Sequence, residues 1–345
     1  MLVKRTGFHG RVRRGSETSR TAVRERRGDA MEIGYSLASE EMHPSDMVRW
    51  ARRAEEVGFG SVLLSDHFHP WIDRQGQSPF VWSVIGGIAA TTELRVGTAV
   101  TCPLVRTHPA IVAQAAATSA AMMRERFFLG VGTGEALNEH IFGDRWPPLD
   151  TRLEMLEEAV AVMRTLWGGG LQSHEGKHYR VENARLYTLP DEPVPVMISG
   201  FGPKATELAG RIGDGYIGTT PDSDLLATFD RAGGRGKPKW GAVKVCWDRD
   251  EGAARRTAFE MWPNLGLPGQ LGQELALPAH FEQAVEMVTE EHVTSSVTCG
   301  PDPEQHLDML RKYAAAGYDV VFVHQIGPDQ DGFFRFFGEE VLPKL

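Results

Sequence analysis

From residue 31 onward, short apolar runs alternate with stretches whose apolar positions recur every three or four residues. The runs at 32–37, 61–64, 94–101, 127–131, 193–199, 215–218, 241–247 and 319–324 read as buried strands. Between them, 45–57, 82–92, 109–122, 204–212, 251–262, 303–316 and 332–341 read as helices. In the first helix, Met47, Ala51, Ala54 and Val57 form the apolar stripe, with Ser45 as the expected N-cap and Gly58 as the stop. Two longer excursions interrupt the alternation. After the fourth strand comes a helix expected to be capped at Asp150/Thr151, with Glu154 completing a capping box and Leu153, Leu156, Val160, Met163 and Trp167 as its stripe. An irregular hairpin is expected at 171–189. After the seventh strand, residues 263–275 read as a Gly/Pro-rich loop, followed by a helix at 279–289.

Eight strands alternating with helices predict an α/β fold of the (β/α)8 barrel class, one domain over residues 31–345, with insertions after strands four and seven. A doubly wound sheet is the alternative, but no strand carries the Gly-rich dinucleotide fingerprint.

Charge sharpens the picture at one end. Residues 1–30 hold nine Lys/Arg against three acids, so they carry +6 of a total of −9 and leave −15 for the remainder. This basic leader has no apolar core of signal-peptide length and is expected to be disordered. An acidic body argues against nucleic acid as a partner, and no apolar run is long enough to span a membrane. Cys102, Cys246 and Cys299 are too few and too scattered for a disulfide framework or a metal motif, which suggests a reduced, cytoplasmic protein.

In such barrels the residues just after each strand line the mouth where substrates bind. After strand two stands Ser65-Asp66-His67-Phe68-His69-Pro70-Trp71, an acid, imidazoles and an indole leaving the sheet together. After strand three stand Cys102 and Pro103. After strand four, the glycines of Gly132-Thr133-Gly134 let the backbone approach a ligand closely, and Glu135 adds a carboxylate. After strand five, Gly200-Phe201-Gly202-Pro203-Lys204 opens a helix, a setting that suits a phosphate or is a plain turn. Thr219, Thr220, His324 and Gln325 follow strands six and eight. His67 and His69 invite a metal reading, but strands five and six offer no further ligands. Acid–base work beside a small-residue cradle fits hydride transfer, in which the protein holds a cofactor ring and handles one proton.

The strings SDHFHPW (65–71) and FLGVGTGEALNE (128–139), with Gly97-Thr98-Ala99-Val100, resemble the luciferase-like barrel oxidoreductases that use the deazaflavin coenzyme F420. Within these, the chain is similar to the F420-dependent glucose-6-phosphate dehydrogenase group. The resemblance implies a homodimer and hydride transfer between a carbinol and F420. It implies that His67 and Glu135 are the acid/base pair, with Trp71 beside the transferred hydride. Asp66, Cys102, Thr133, Gly134 and Asn138 would hold the ring and its tail. Ala99 and Val100 would back the ring at a cis bond, and Phe201, Gly202 and Lys204 would serve the tail and its phosphate. Thr219 would face the substrate. The group's phosphate-binding cations fall here on Asp222, a residue near Gly272, and Ser295, so the expected substrate is an uncharged alcohol, lactol or carbonyl compound. The alternatives are a glucose-6-phosphate dehydrogenase proper and an FMN-dependent monooxygenase.

Overall fold

The structure, a computed structural model, describes residues 31–345. The expected leader lies outside the described residues.

Among the described residues, eleven strands form in chain order: β1 Glu32–Leu37, β2 Ser61–Leu64, β3 Arg95–Thr98, β4 Phe127–Val131, β5 Gln172–Glu175, β6 Arg180–Ala184, β7 Val196–Ser199, β8 Gly215–Gly218, β9 Lys239–Cys246, β10 Thr298–Cys299 and β11 Val320–Gln325. Eight of them pair in parallel around a closed circuit, β1-β2-β3-β4-β7-β8-β9-β11, with β11 returning to β1. The expected (β/α)8 barrel is therefore observed. The runs are apolar because each barrel strand is covered on both faces, by helices outside and by inward side chains within. Leu63, Phe128, Met197, Ile217, Trp240, Val320 and Phe322 fill the interior. Gly97 makes room for this filling, since a Cβ there would lie 2.0 Å from the Phe128 ring.

Local details depart from the sequence reading where caps decide them. The first helix is Pro44–Val57, and its N-cap is His43, whose ring accepts from the Ser45 N–H; Ser45 is not the cap. The long helix is Leu149–Trp167, preceded by Pro148 with no side-chain cap. Asp150 instead pairs with Lys204 and Glu154 with Lys177, so the expected capping box does not form. Strand three ends at Thr98, earlier than expected; the Ala99–Val100 peptide bond is cis, and Thr101 rejoins the ladder opposite Val131.

Both insertions are present. The first contains the helix Leu149–Trp167 and the antiparallel hairpin β5–β6. The second is more structured than a loop. It holds short helices at Pro263–Gly266, Leu271–Glu274, Pro278–Ala284 and Glu290–Thr294, then β10, which pairs with β9. A two-residue strand is too short to leave a periodic signal. Arg152 joins the two insertions. It is fully buried, stacks 4.3 Å from the Trp146 ring, and donates to Gln273 and Glu274. Among the described residues, no helix is long and apolar enough to cross a membrane.

Candidate active site

The site is built where β1, β2 and β4 end on the same rim. After β2 the chain turns inward, and Asp66 is buried. Its carboxylate accepts from Thr101 Oγ1 at 2.7 Å and from Arg106 Nη2 at 2.9 Å. Arg106 also faces Glu139, whose carboxylate accepts the backbone N–H groups of Val105 and Arg106. Burial disfavours the Arg106 charge, but Asp66 and Glu139 outweigh it and raise its pKa. Burial dominates at Glu139 and raises its pKa, against the pull of Arg106.

His67 is fixed at both ring nitrogens. Its Nδ1 lies 3.1 Å from the His69 carbonyl, which can only accept, so Nδ1 carries the proton. Nε2 faces Glu40 Oε1 at 3.5 Å, a pair that is ionic when the ring carries both protons. Glu40, just past β1, is the hub that the sequence reading missed. Its carboxylate accepts from Ser65 Oγ at 2.6 Å and from the Trp71 indole at 3.3 Å. Burial alone would raise its pKa, yet the neighbouring His67 charge, the Ser65 hydrogen bond and the Lys244 charge bring it below the usual carboxylate value. One buried carboxylate thus fixes Trp71 and stands beside the imidazole, whose ring centroid is 5.1 Å from the indole.

The β4 loop is stitched to this group by Asn138. Its Oδ1 accepts the N–H groups of Phe68 and His69, at 2.8 and 3.2 Å, while its Nδ2 donates to Glu135 at 3.4 Å. His69 Nδ1 donates to the Leu137 carbonyl at 2.9 Å. His67, Trp71, Asp66, Asn138 and Glu135 therefore belong to one connected constellation. Gly134 has φ +70°, and a Cβ there would lie 2.5 Å from Cys102 Sγ. Burial, with Glu139 and Glu135 nearby, pushes the Cys102 thiol well up, so it stays protonated and acts as a small wall. Thr133 and Glu135 are partly exposed above that wall. Ala99 and Val100 pack against the barrel interior beneath it.

Other expected residues lie apart. Lys204 points at Asp150, 2.6 Å away, and is two-thirds exposed; its charge is already partnered. Phe201 is exposed on the rim, and Gly202 is the N-cap of the helix Pro203–Ile212. Thr219 lines a cavity of about 570 Å³ with Thr220, Ser295, Ser296, Arg255 and Lys312. Val243 and Tyr313, which also line it, belong to the packing between barrel and helices, and neither His67, Trp71 nor Glu135 is among its lining residues. Asp222 does not face a ligand: it accepts from the Asp224 and Leu225 N–H groups and caps the helix Ser223–Phe229. Among the described residues, no group of three or more His, Cys, Asp or Glu could hold a metal.

Lys244, Glu41 and Trp262 are further mouth residues that the sequence reading missed, beside His324, which it had placed there. His324 pairs with Glu41 and packs edge-on to Trp262. Glu40 and Glu41 could have been found by applying the rule of strand ends to β1. Lys244 could have been found as a charge inside an apolar strand.

Fold and site together define a (β/α)8 barrel enzyme with its acid–base group and a glycine cradle at the carboxyl-terminal mouth. The chain belongs to the luciferase-like monooxygenase family, whose model matches residues 28–320. It is 36% identical over 330 residues to an F420-dependent glucose-6-phosphate dehydrogenase of Microbacterium testaceum, covering 91% of this chain and 97% of that one. A relative of the same name from Nakamurella multipartita is 36% identical over 327 residues, covering 91% and 96%. Among solved structures, an F420-dependent secondary alcohol dehydrogenase in complex with an F420-acetone adduct superposes with a TM-score of 0.84 at 30% identity, covering 90% of this chain and 98% of that one.

Proposed function

We propose that this chain is a coenzyme F420-dependent oxidoreductase that transfers a hydride between the CH–OH carbon of an uncharged alcohol, lactol or sugar and the deazaflavin. The observation that carries the reading is the His67–Glu40–Trp71 group joined through Asn138 to Glu135. Relatives named for F420 chemistry on hydroxyl carbons support it.

The residues present fit a flat ring system. Gly132 and Gly134 leave space that a Cβ would fill against Val100 and Cys102. Ala99, Val100, Cys102, Thr133, Gly134 and Asn138 would hold the ring, with Asp66 and Arg106 behind it, and Phe201 and Gly202 at the rim would serve the tail. The bound deazaflavin supplies the hydride acceptor. His67 takes the substrate hydroxyl proton at Nε2 as the carbonyl forms. An imidazole that has taken this proton is charged and stands against the Glu40 carboxylate, so the site favours the state in which the hydroxyl has lost its proton. Glu135 serves as the second proton donor or acceptor, and Trp71 excludes water from the reacting carbon.

The glucose-6-phosphate dehydrogenase reading is favoured by the names of the relatives. Against it, the positions matched to phosphate-binding cations carry a helix cap, Asp222, and a neutral Ser295. Purified protein mixed with oxidised F420 and a panel of alcohols, lactols and glucose-6-phosphate should bleach the deazaflavin absorbance with uncharged members most efficiently. Bleaching that is efficient only with glucose-6-phosphate rules out the uncharged class, and no bleaching at all rules out the reading.

The protein acts as a homodimer in this reading. Residues 75–92 and 107–123 hold no Asp, Glu, Lys or Arg, and Phe80, Ile111 and Met122 stand exposed on or beside the two helices there. Sedimentation of the wild type and Met122→Glu tests this assembly. The three free, buried thiols suit a reducing cytoplasm.

A further inference from the structure

Lys244 sits in the strand β9 with its Cα paired to that of His324 on β11. Trp240, four residues earlier and on the same face, fills the barrel interior beside Phe128 and Phe322. The Lys244 side chain therefore rises inside the barrel toward the mouth. Its Nζ lies 4.5 Å from the Trp262 ring centroid. Among the described residues, this ammonium makes no hydrogen bond and no ion pair.

The acceptors near it are engaged elsewhere. Glu40 accepts from Ser65 and Trp71 and stands against His67, and Glu41 is paired with His324. Burial lowers the Lys244 pKa, while the charges of Glu40 and Glu41 oppose that shift. Lys244 is half-buried, and its ammonium gives up part of its hydration with no protein acceptor in exchange, which is costly. Such a group in a binding mouth is kept where a ligand completes it.

We propose that Lys244 is a substrate-anchoring residue, donating from Nζ to a second, uncharged oxygen of the substrate remote from the reacting carbinol. The inference rests on the reading of the mouth as a CH–OH oxidoreductase site. Glu40 and Glu41, both within reach of its charge, disfavour an anionic group in the same position. The preferred substrates are then polyoxygenated and neutral, and a simple alcohol gains nothing from Lys244.

The test compares wild type, Lys244→Met and Lys244→Arg on glucose and on propan-2-ol, following F420 absorbance, with F420 affinity read separately by fluorescence titration. In Lys244→Met, kcat/KM for glucose should fall about 10- to 100-fold, chiefly through KM, as expected for loss of a charged hydrogen bond. F420 affinity should change by less than about threefold; kcat/KM for propan-2-ol should fall several-fold less than that for glucose, since only the charge beside Glu40 is lost there, and Lys244→Arg should recover part of the glucose loss. If Lys244→Met does not fold, Lys244→Gln is read in the same way. An equal loss on both substrates makes Lys244 a counter-ion only and overturns the inference, as does an unchanged glucose KM. A wild type that turns over propan-2-ol but no polyoxygenated compound overturns the inference and leaves the proposed function standing. A wild type that reduces F420 with no substrate overturns both.

Discussion

His67 places its Nε2 3.5 Å from the Glu40 carboxylate, while its Nδ1 proton is fixed on its own loop by the His69 carbonyl. Replacing His67 with Ala should lower kcat with F420 and substrate by about 10²- to 10⁴-fold, the range for loss of a general base. Glu40→Gln should lower it less, by about tenfold or more, because the base remains and only its partner charge is gone. Single-turnover absorbance at saturating F420 checks both; unchanged rates in His67→Ala remove it from the chemistry.

The depressed Glu40 pKa makes a pH prediction of definite sign. A carboxylate whose folded pKa lies below its unfolded value of about 4.5 adds stability that is fully present above that value. That contribution is lost as the pH falls through the lower, folded value. The stability gap between wild type and Glu40→Gln should therefore be constant from pH 7 to pH 5 and close below about pH 4.5. Thermal melts across that range measure it; a gap that widens toward acid contradicts the assignment.

Gly134 combines a left-handed φ with a position where a Cβ meets Cys102 Sγ. Gly134→Ala should weaken F420 binding and cost about 1–3 kcal/mol of stability. Adding Cys102→Ala removes the steric part, so the double variant should recover part of the loss. Fluorescence titration and thermal melts read the two effects.

Arg106 is the sole cation bonded to both Asp66 and Glu139 among the described residues, and its side chain is 8% exposed. Arg106→Met leaves two buried carboxylates without their shared cation and should cost about 3–5 kcal/mol. The same change at Arg211, an exposed partner of Glu157, should cost under about 1 kcal/mol. Chemical denaturation of the two variants makes the comparison.

The barrel was legible because each of its strands is a compact apolar run bounded by polar or turn residues, the mark of an element covered on both faces. The helix starts were less so. His43 caps through a ring nitrogen, and Pro148 precedes a helix that has no side-chain cap, neither of which follows the usual Ser/Thr/Asp rule. Within the site, Asp66, His67, Trp71, Glu135 and Asn138 announce themselves as polar groups at strand ends, and the fold joins them. Lys204 and Asp222 look equally available in the sequence, yet each is taken by a local partner that only the folded chain reveals. Glu40 was missed for the opposite reason: it stands where the rule of strand ends points after β1, but an ordinary Glu-Glu pair does not tell which member joins His67 and Trp71.

Arg152 holds Trp146 on one side and Gln273 with Glu274 on the other. The two coverings of the mouth are consequently not independent modules. A graft that exchanges one of them for a relative's, in the hope of a new substrate range, would strand a guanidinium in a dry pocket unless the matching piece travels with it. Diversification of this scaffold is thereby channelled into paired exchanges or into the mouth-facing side chains themselves.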